Sequence, residues 1–142
     1  MRLVLDTNIV ISALLWRGKP YQLLETISHS HELRLFASPA LLEELADVLA
    51  RPMATKRLAL LGKTAAEVLA DYQTVLEVVE PSAVPRVVLR DVDDDQVIAA
   101  ALAAQADFIV SGNDDLLSVG RYQGIRIINA AEALRYLEVG SD

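Results

Sequence analysis

Leu3-Val4-Leu5-Asp6-Thr7-Asn8-Ile9, close to the N-terminus, is the stretch on which the fold turns. Three apolar residues without polar alternation suit a strand covered on both faces, as at the centre of a parallel sheet. Such sheets bind ligands at the carboxyl ends of their strands. Asp6 then stands where the strand runs into that crevice. A second reading of the same residues is that Asp6 and Asn8 only cap a helix beginning near Ile9. The choice depends on whether other acids arrive at the same edge.

The chain of 142 residues suits a single domain spanning 1–142, able to bury roughly 70% of its unfolded surface and too short for a second domain. Apolar residues make up 53% of it, which argues for a folded globule. The apolar runs are short and interrupted by charge, and the N-terminus has no basic flank followed by a long apolar segment. No membrane association is therefore expected, and the expected location is cytoplasmic. There is no cysteine, hence no disulfide and no thiolate metal site; a metal would be a hard cation held by oxygen.

A net charge of −7 argues against a nucleic-acid binder until its distribution is considered. Between Asp91 and Asp115 there are seven aspartates and no lysine or arginine, so that window accounts for the whole imbalance. Charge clustered in this way repels itself unless neutralised, and divalent cations would do so. A solvated acidic loop is the other explanation.

Strands and helices alternate along the chain. The sequence predicts strands at Arg2–Leu5, Leu33–Ala37, Phe108–Val110 and Ile125–Ile128, with a short edge strand at Glu77–Glu80. Helices are predicted at Ile9–Leu15, Tyr21–Ser28, after Ser38-Pro39, in short pieces up to Leu61, from Thr64 to about Leu76, and at Asp94–Ala104, Asp114–Val119 and Ala130–Glu138. Ser38-Pro39 reads as N-cap and first-turn proline, and Thr64 with Glu67 as a capping box. This alternation implies an α/β fold with a parallel sheet between helical layers.

Acids fall at four corresponding points. Asp6 follows the first strand. After the second strand Glu43 and Glu44 are adjacent; Glu43 lies opposite the Leu41, Leu45, Val48 stripe and Glu44 on its flank, so Glu44 is the better placed. The third point is the start of an alanine-rich helix, where Asp93 and Asp94 suit cap and first-turn positions and Asp95 lies on the border of the buried face. The fourth is Phe108-Ile109-Val110-Ser111-Gly112-Asn113-Asp114-Asp115, a buried strand ending in small polar residues and acids, where Ser111 and Gly112 would permit close backbone approach.

In this order the four points resemble the PIN-domain ribonucleases, in particular toxins of toxin–antitoxin systems related to the VapC type. The resemblance runs along nearly the whole chain. It implies a three-layer α/β/α sandwich (PIN-like, Rossmann-like) around a parallel sheet of about five strands. It also implies a metal-dependent endoribonuclease that hydrolyses RNA phosphodiesters with Mg²⁺ or Mn²⁺, a cognate antitoxin as partner, and a homodimer.

Carried over by position, the resemblance assigns Asp6, Glu44, Asp95 and Asp115 as catalytic acids, with Asp6, Asp95, Asp115 and Asn113 as metal-site residues. Asn8 and Ser111 take supporting roles. Mg²⁺ keeps several waters and takes only one or two direct carboxylates, so clustered acids serve both as ligands and as partners of bound water. The chain departs from the family where an aspartate usually follows the strand-end glycine: here Asn113 offers an amide oxygen without charge. Asp115 stands two residues later and Asp114 reads as a helix-start acid. The departure opens an alternative, a degenerate PIN domain that binds RNA or a protein partner without cutting.

RNA requires positive groups near the acids. Arg17 and Lys19, after the first helix, and Arg51, near the Pro52 break, are the candidates, with Lys56 and Arg57 beyond; Trp16 is placed to stack on a base or to pack at the core edge. His29 and His31 lie on the approach side of a strand and receive no catalytic role. Haloacid-dehalogenase-type phosphatases place a second aspartate where this chain has Asn8. Response-regulator receivers require an acidic pair and a strand-end lysine that are missing here.

Overall fold

The computed structural model describes residues 1–87 and 92–140. Asp91, which opens the acidic window, lies outside the described residues. Along the chain run β1 (Arg2–Leu5), α1 (Thr7–Leu15), α2 (Lys19–Ser28), β2 (Arg34–Ala37), α3 (Pro39–Leu49), α4 (Pro52–Leu61), α5 (Ala65–Gln73) and β3 (Leu76–Val78). They are followed by α6 (Val92–Ala104), β4 (Phe108–Val110), α7 (Asp114–Val119), β5 (Arg121–Tyr122), β6 (Ile125–Ile128) and α8 (Ala130–Gly140).

Among the described residues the sheet has six strands in the order β3-β2-β1-β4-β6-β5. The first five in that row are mutually parallel, with Leu3 beside Leu35 on one side and Phe108 on the other. The expectation of about five parallel strands is met, and β5 adds a sixth, two-residue strand antiparallel to β6. Its turn is Gln123-Gly124, with φ of 48° and 84°. Positive φ at both central residues matches the twist of a tight hairpin, and glutamine is an uncommon choice for the first of them.

The β1 side chains alternate between two cores. Leu3 and Leu5 pack with Ile9, Leu23, Leu45, Leu49, Leu58 and Leu134 on one face of the sheet. Val4 packs with Phe36, Val97, Ile98, Ala101 and Ile109 on the other. Burial on both faces explains why the strand sequences are apolar throughout. The small side chains of Ala100, Ala101 and Ala104, all fully buried, let α6 lie close to the sheet.

Local sequence signals set the helix starts. Ser38 Oγ accepts a hydrogen bond from Leu41 N at 3.3 Å, and Thr64 Oγ1 accepts one from Glu67 N at 3.1 Å. The helix that Thr64 and Glu67 open ends at Gln73, earlier than the predicted Leu76, because Leu76 enters β3. That edge strand is pinned to β2 by Arg34, whose Nε and Nη2 each donate to a Glu77 carboxylate oxygen at 2.7 Å.

From β1 the chain winds outward through β2 to β3, then crosses by α6 to β4 on the opposite side of β1. The winding direction therefore reverses between β1 and β4. In open α/β sheets that reversal leaves a crevice at the carboxyl ends of the strands.

Candidate active site

Polar residues continue β1 and β4 into this crevice, and their backbones extend the sheet ladder. Asp6 N–H donates to Val110 O, and Ser111 N–H donates to Ile128 O, each at 2.9 Å. Asp6 occupies the N-cap position of α1, and its carbonyl accepts from Ile9 N and Val10 N at 3.0 and 3.2 Å. Its side chain makes no capping bond. Instead Asp6 Oδ2 accepts a 2.8 Å hydrogen bond from Ser111 Oγ. Capping thus accounts for the Asp6 backbone and not for its carboxylate, which is 5% exposed beside a fully buried serine.

Asn113 extends the connection. Its N–H donates to Ser111 Oγ at 2.9 Å, its Oδ1 accepts from Asp115 N at 2.8 Å, and its Nδ2 lies 3.1 Å from both carboxylate oxygens of Asp94. These neighbours set the amide orientation, since Asp115 N–H requires an acceptor and the Asp94 carboxylate requires donors. One chain of hydrogen bonds therefore runs Asp6–Ser111–Asn113–Asp94. It joins the ends of β1 and β4 to the first turn of α6.

Asp94, which the preference of acids for helix starts assigns to a cap or first-turn role, is 5% exposed and belongs to this chain of bonds. Asp94 lies four residues before Ile98 and seven before Ala101, both fully buried against the sheet. Asp95 is also fully buried, and its Oδ1 accepts from Val87 N at 2.9 Å. Glu44 is half-buried on α3, the helix that follows β2, whereas adjacent Glu43 is exposed. Asp115 is half-buried in the first turn of α7; Asp114 and Asp93 are exposed.

Asn8 is exposed in the first turn of α1. Gly112 is not demanded by sterics: a Cβ there would come no closer than 4.0 Å to Ile9 Cδ1, and its φ is not positive. Arg17 and Lys19 are exposed beyond the far end of α1, about 13 Å along the helix from Asp6 at 1.5 Å per residue. Arg51 is exposed at the start of α4. Trp16 is 42% exposed, with the Arg57 guanidinium 5.7 Å from its ring centroid. His29 and His31 are exposed, away from the crevice.

Among the described residues, no three acidic or imidazole side chains form a group that could hold one ion. A cage of three carboxylates is not what Mg²⁺ requires, since it retains water and takes one or two carboxylates directly. The oxygen-only donor set of Asp6 and Asp94, with Glu44 and Asp115 on neighbouring elements, fits a hard divalent cation by its chemistry. No described helix is long and apolar enough to cross a membrane.

A sequence model of the PIN domain matches residues 2–115. A chain in the crystal structure of VapBC2 from Rickettsia felis bound to a DNA fragment from their promoter is similar in fold, with a TM-score of 0.64 and 17% sequence identity. The match covers 91% of this chain and 98% of that one. No curated protein matches this sequence.

Proposed function

Because the chain belongs to the PIN-domain family, we propose that it is a Mg²⁺- or Mn²⁺-dependent endoribonuclease and the toxin half of a toxin–antitoxin pair. The observation that carries this reading is the bonded chain Asp6–Ser111–Asn113–Asp94 at the crevice between β1 and β4. Two buried aspartates are expensive to keep ionised in an apolar surround, and a divalent cation offsets that cost. When bound, such a cation lowers the pKa of a water and offsets charge on the scissile phosphate.

The chain's own residues have separable tasks in this proposal. Asp6 and Asp94 supply oxygen donors, Ser111 holds the Asp6 carboxylate, and Asn113 aims that of Asp94. Glu44 and Asp115 are the acids that complete the negative site and hold water near it. Arg17, Lys19 and Arg51 meet RNA phosphates outside the crevice, where the acids do not repel them. The fold likeness to a VapBC2 chain supports a cognate antitoxin as partner; a homodimer and a cytoplasmic location belong to the same reading.

One observation favours the alternative of a non-catalytic PIN domain. The Asn113 amide turns its nitrogen, not its oxygen, towards Asp94, so it occupies with a hydrogen bond the place where the family usually has a fourth acid. Calorimetric titration with Mn²⁺ separates the two readings. The nuclease reading expects binding at millimolar concentration or below, weakened in Asp6→Asn; no heat of binding at millimolar Mn²⁺ establishes the alternative.

A further inference from the structure

Two aspartates adjacent in sequence leave α6 in different directions. Asp94 shares the sheet-facing side with Ile98 and Ala101 and meets Asn113. Asp95 lies four before Ala99 and seven before Leu102, and these two line a cleft of about 400 Å³ together with Ala103, Tyr122 and Gln123. The segment 80–85, which leads from β3 towards the start of α6, lines the same cleft.

This segment is fastened at both ends. Val79 N donates to Ala37 O at 2.9 Å, extending the β2–β3 ladder. At the other end Val87 N donates to Asp95 Oδ1 at 2.9 Å, and Arg86 Nε lies 4.0 Å from Asp95 Oδ2. Asp95 is 0% exposed, whereas Arg86 is largely in solvent. A carboxylate is buried this completely only where donors hold it. The first turn of a helix is also where backbone donors lack internal partners and fraying begins.

We propose that Asp95 is a positioning residue: it fastens the 79–87 segment to the first turn of α6 and thereby fixes the direction in which Asp94 faces the crevice. This rests on the reading of Asp94 as a site acid. It removes Asp95 from the ligand set and accounts for two buried aspartates in succession by giving them different partners. Asparagine at 95 keeps an oxygen for Val87 N–H and nearly the same volume, so the fastening tolerates loss of charge, whereas a metal ligand would not.

The test compares Asp95→Asn, Asp95→Ala and Asp94→Asn by hydrogen exchange at the Val87 amide and by Mn²⁺ calorimetry. In Asp95→Asn both readouts are expected to stay within about threefold of the parent. In Asp95→Ala exchange at Val87 should rise by about tenfold or more and Mn²⁺ affinity fall by about tenfold. Asp94→Asn should weaken Mn²⁺ more and leave Val87 exchange unchanged. Should Asp95→Ala not fold, Val87→Pro deletes the donor, leaves the carboxylate, and is expected to show the same loss of Mn²⁺ affinity. Unchanged Val87 exchange in Asp95→Ala, parental Mn²⁺ affinity in Val87→Pro, or equal loss of Mn²⁺ in Asp95→Asn and Asp94→Asn with Val87 still protected, overturns the proposal. If the parent protein binds no Mn²⁺, the nuclease reading fails, and Val87 exchange alone still decides the fastening.

Discussion

The side-chain nitrogen of Asn113 lies 3.1 Å from each carboxylate oxygen of Asp94. The amide is the bridge by which the end of β4 reaches the first turn of α6, and it brings no charge of its own. Its chemistry makes Asn113→Asp the most informative single change in the crevice.

Two carboxylates at hydrogen-bonding distance cannot both ionise without a neutralising cation. Asn113→Asp should therefore lower metal-free stability by roughly 1–3 kcal/mol, the cost of losing these bonds next to a buried acid. Mn²⁺ should recover more stability in the variant than in the parent, because a ligand that binds the native state stabilises it by an amount that grows with the logarithm of its concentration over Kd. Thermal unfolding with and without Mn²⁺ measures both effects. A variant more stable than the parent without metal would show that Asp94 and residue 113 do not face one another.

Ser111→Ala removes the donor to Asp6 and the acceptor for Asn113 N–H from a fully buried position. A loss of about 1–3 kcal/mol is expected in urea unfolding, since one of the two bonds is to a carboxylate. Any Mn²⁺-dependent cleavage should fall by roughly 10- to 100-fold, as for other residues that orient metal ligands. Cleavage equal to that of the parent would separate Ser111 from the site.

Tyr72 supplies a pH dependence independent of the site. It is 3% exposed in the core shared by α1, α3 and α5, and burial pushes its phenol above the ordinary tyrosine range. With a raised folded-state pKa, the unfolded chain loses this proton first. Stability is then fully present below about pH 10 and declines above it, at up to about 1.4 kcal/mol per pH unit. Tyr72→Phe should flatten that decline between pH 10 and 11, read as unfolding midpoints in urea. An unchanged slope would contradict burial as its cause.

Much of the fold is legible in the chain because its strands are covered on both faces. Leu3-Val4-Leu5 and Phe108-Ile109-Val110 are apolar without interruption, and the observed β1 and β4 coincide with the predicted bounds. The hairpin β5 escapes notice because Gln123-Gly124 departs from the usual Asn-Gly or Asp-Gly turn, and two residues carry no periodicity.

In the crevice, the placing of Asp6 and Ser111 at strand ends can be read from the sequence, whereas the choice between site acid and helix cap for Asp6 depends on the other acids. Choosing between Asp94 and Asp95 cannot rest on periodicity, because α6 is buried on two sides. Ile98 and Ala101 face the sheet while Ala99 and Leu102 face the 80–85 segment, so each aspartate precedes a buried residue by four positions. Their difference lies in tertiary partners, Asn113 for one and Val87 for the other, which sequence spacing does not encode.

In the proposed function the crevice between β1 and β4 cuts RNA with a divalent cation held through Asp6 and Asp94. Its most direct measurement is cleavage of single-stranded RNA by the purified protein in Mn²⁺, in excess chelator, and with Asp94→Asn. Cleavage should require Mn²⁺ and fall by more than about a hundredfold in Asp94→Asn, beyond the loss caused by residues that only orient ligands. Cleavage that persists in chelator and is unaffected by Asp94→Asn would rule out a cation held through Asp6 and Asp94 as the cutting centre.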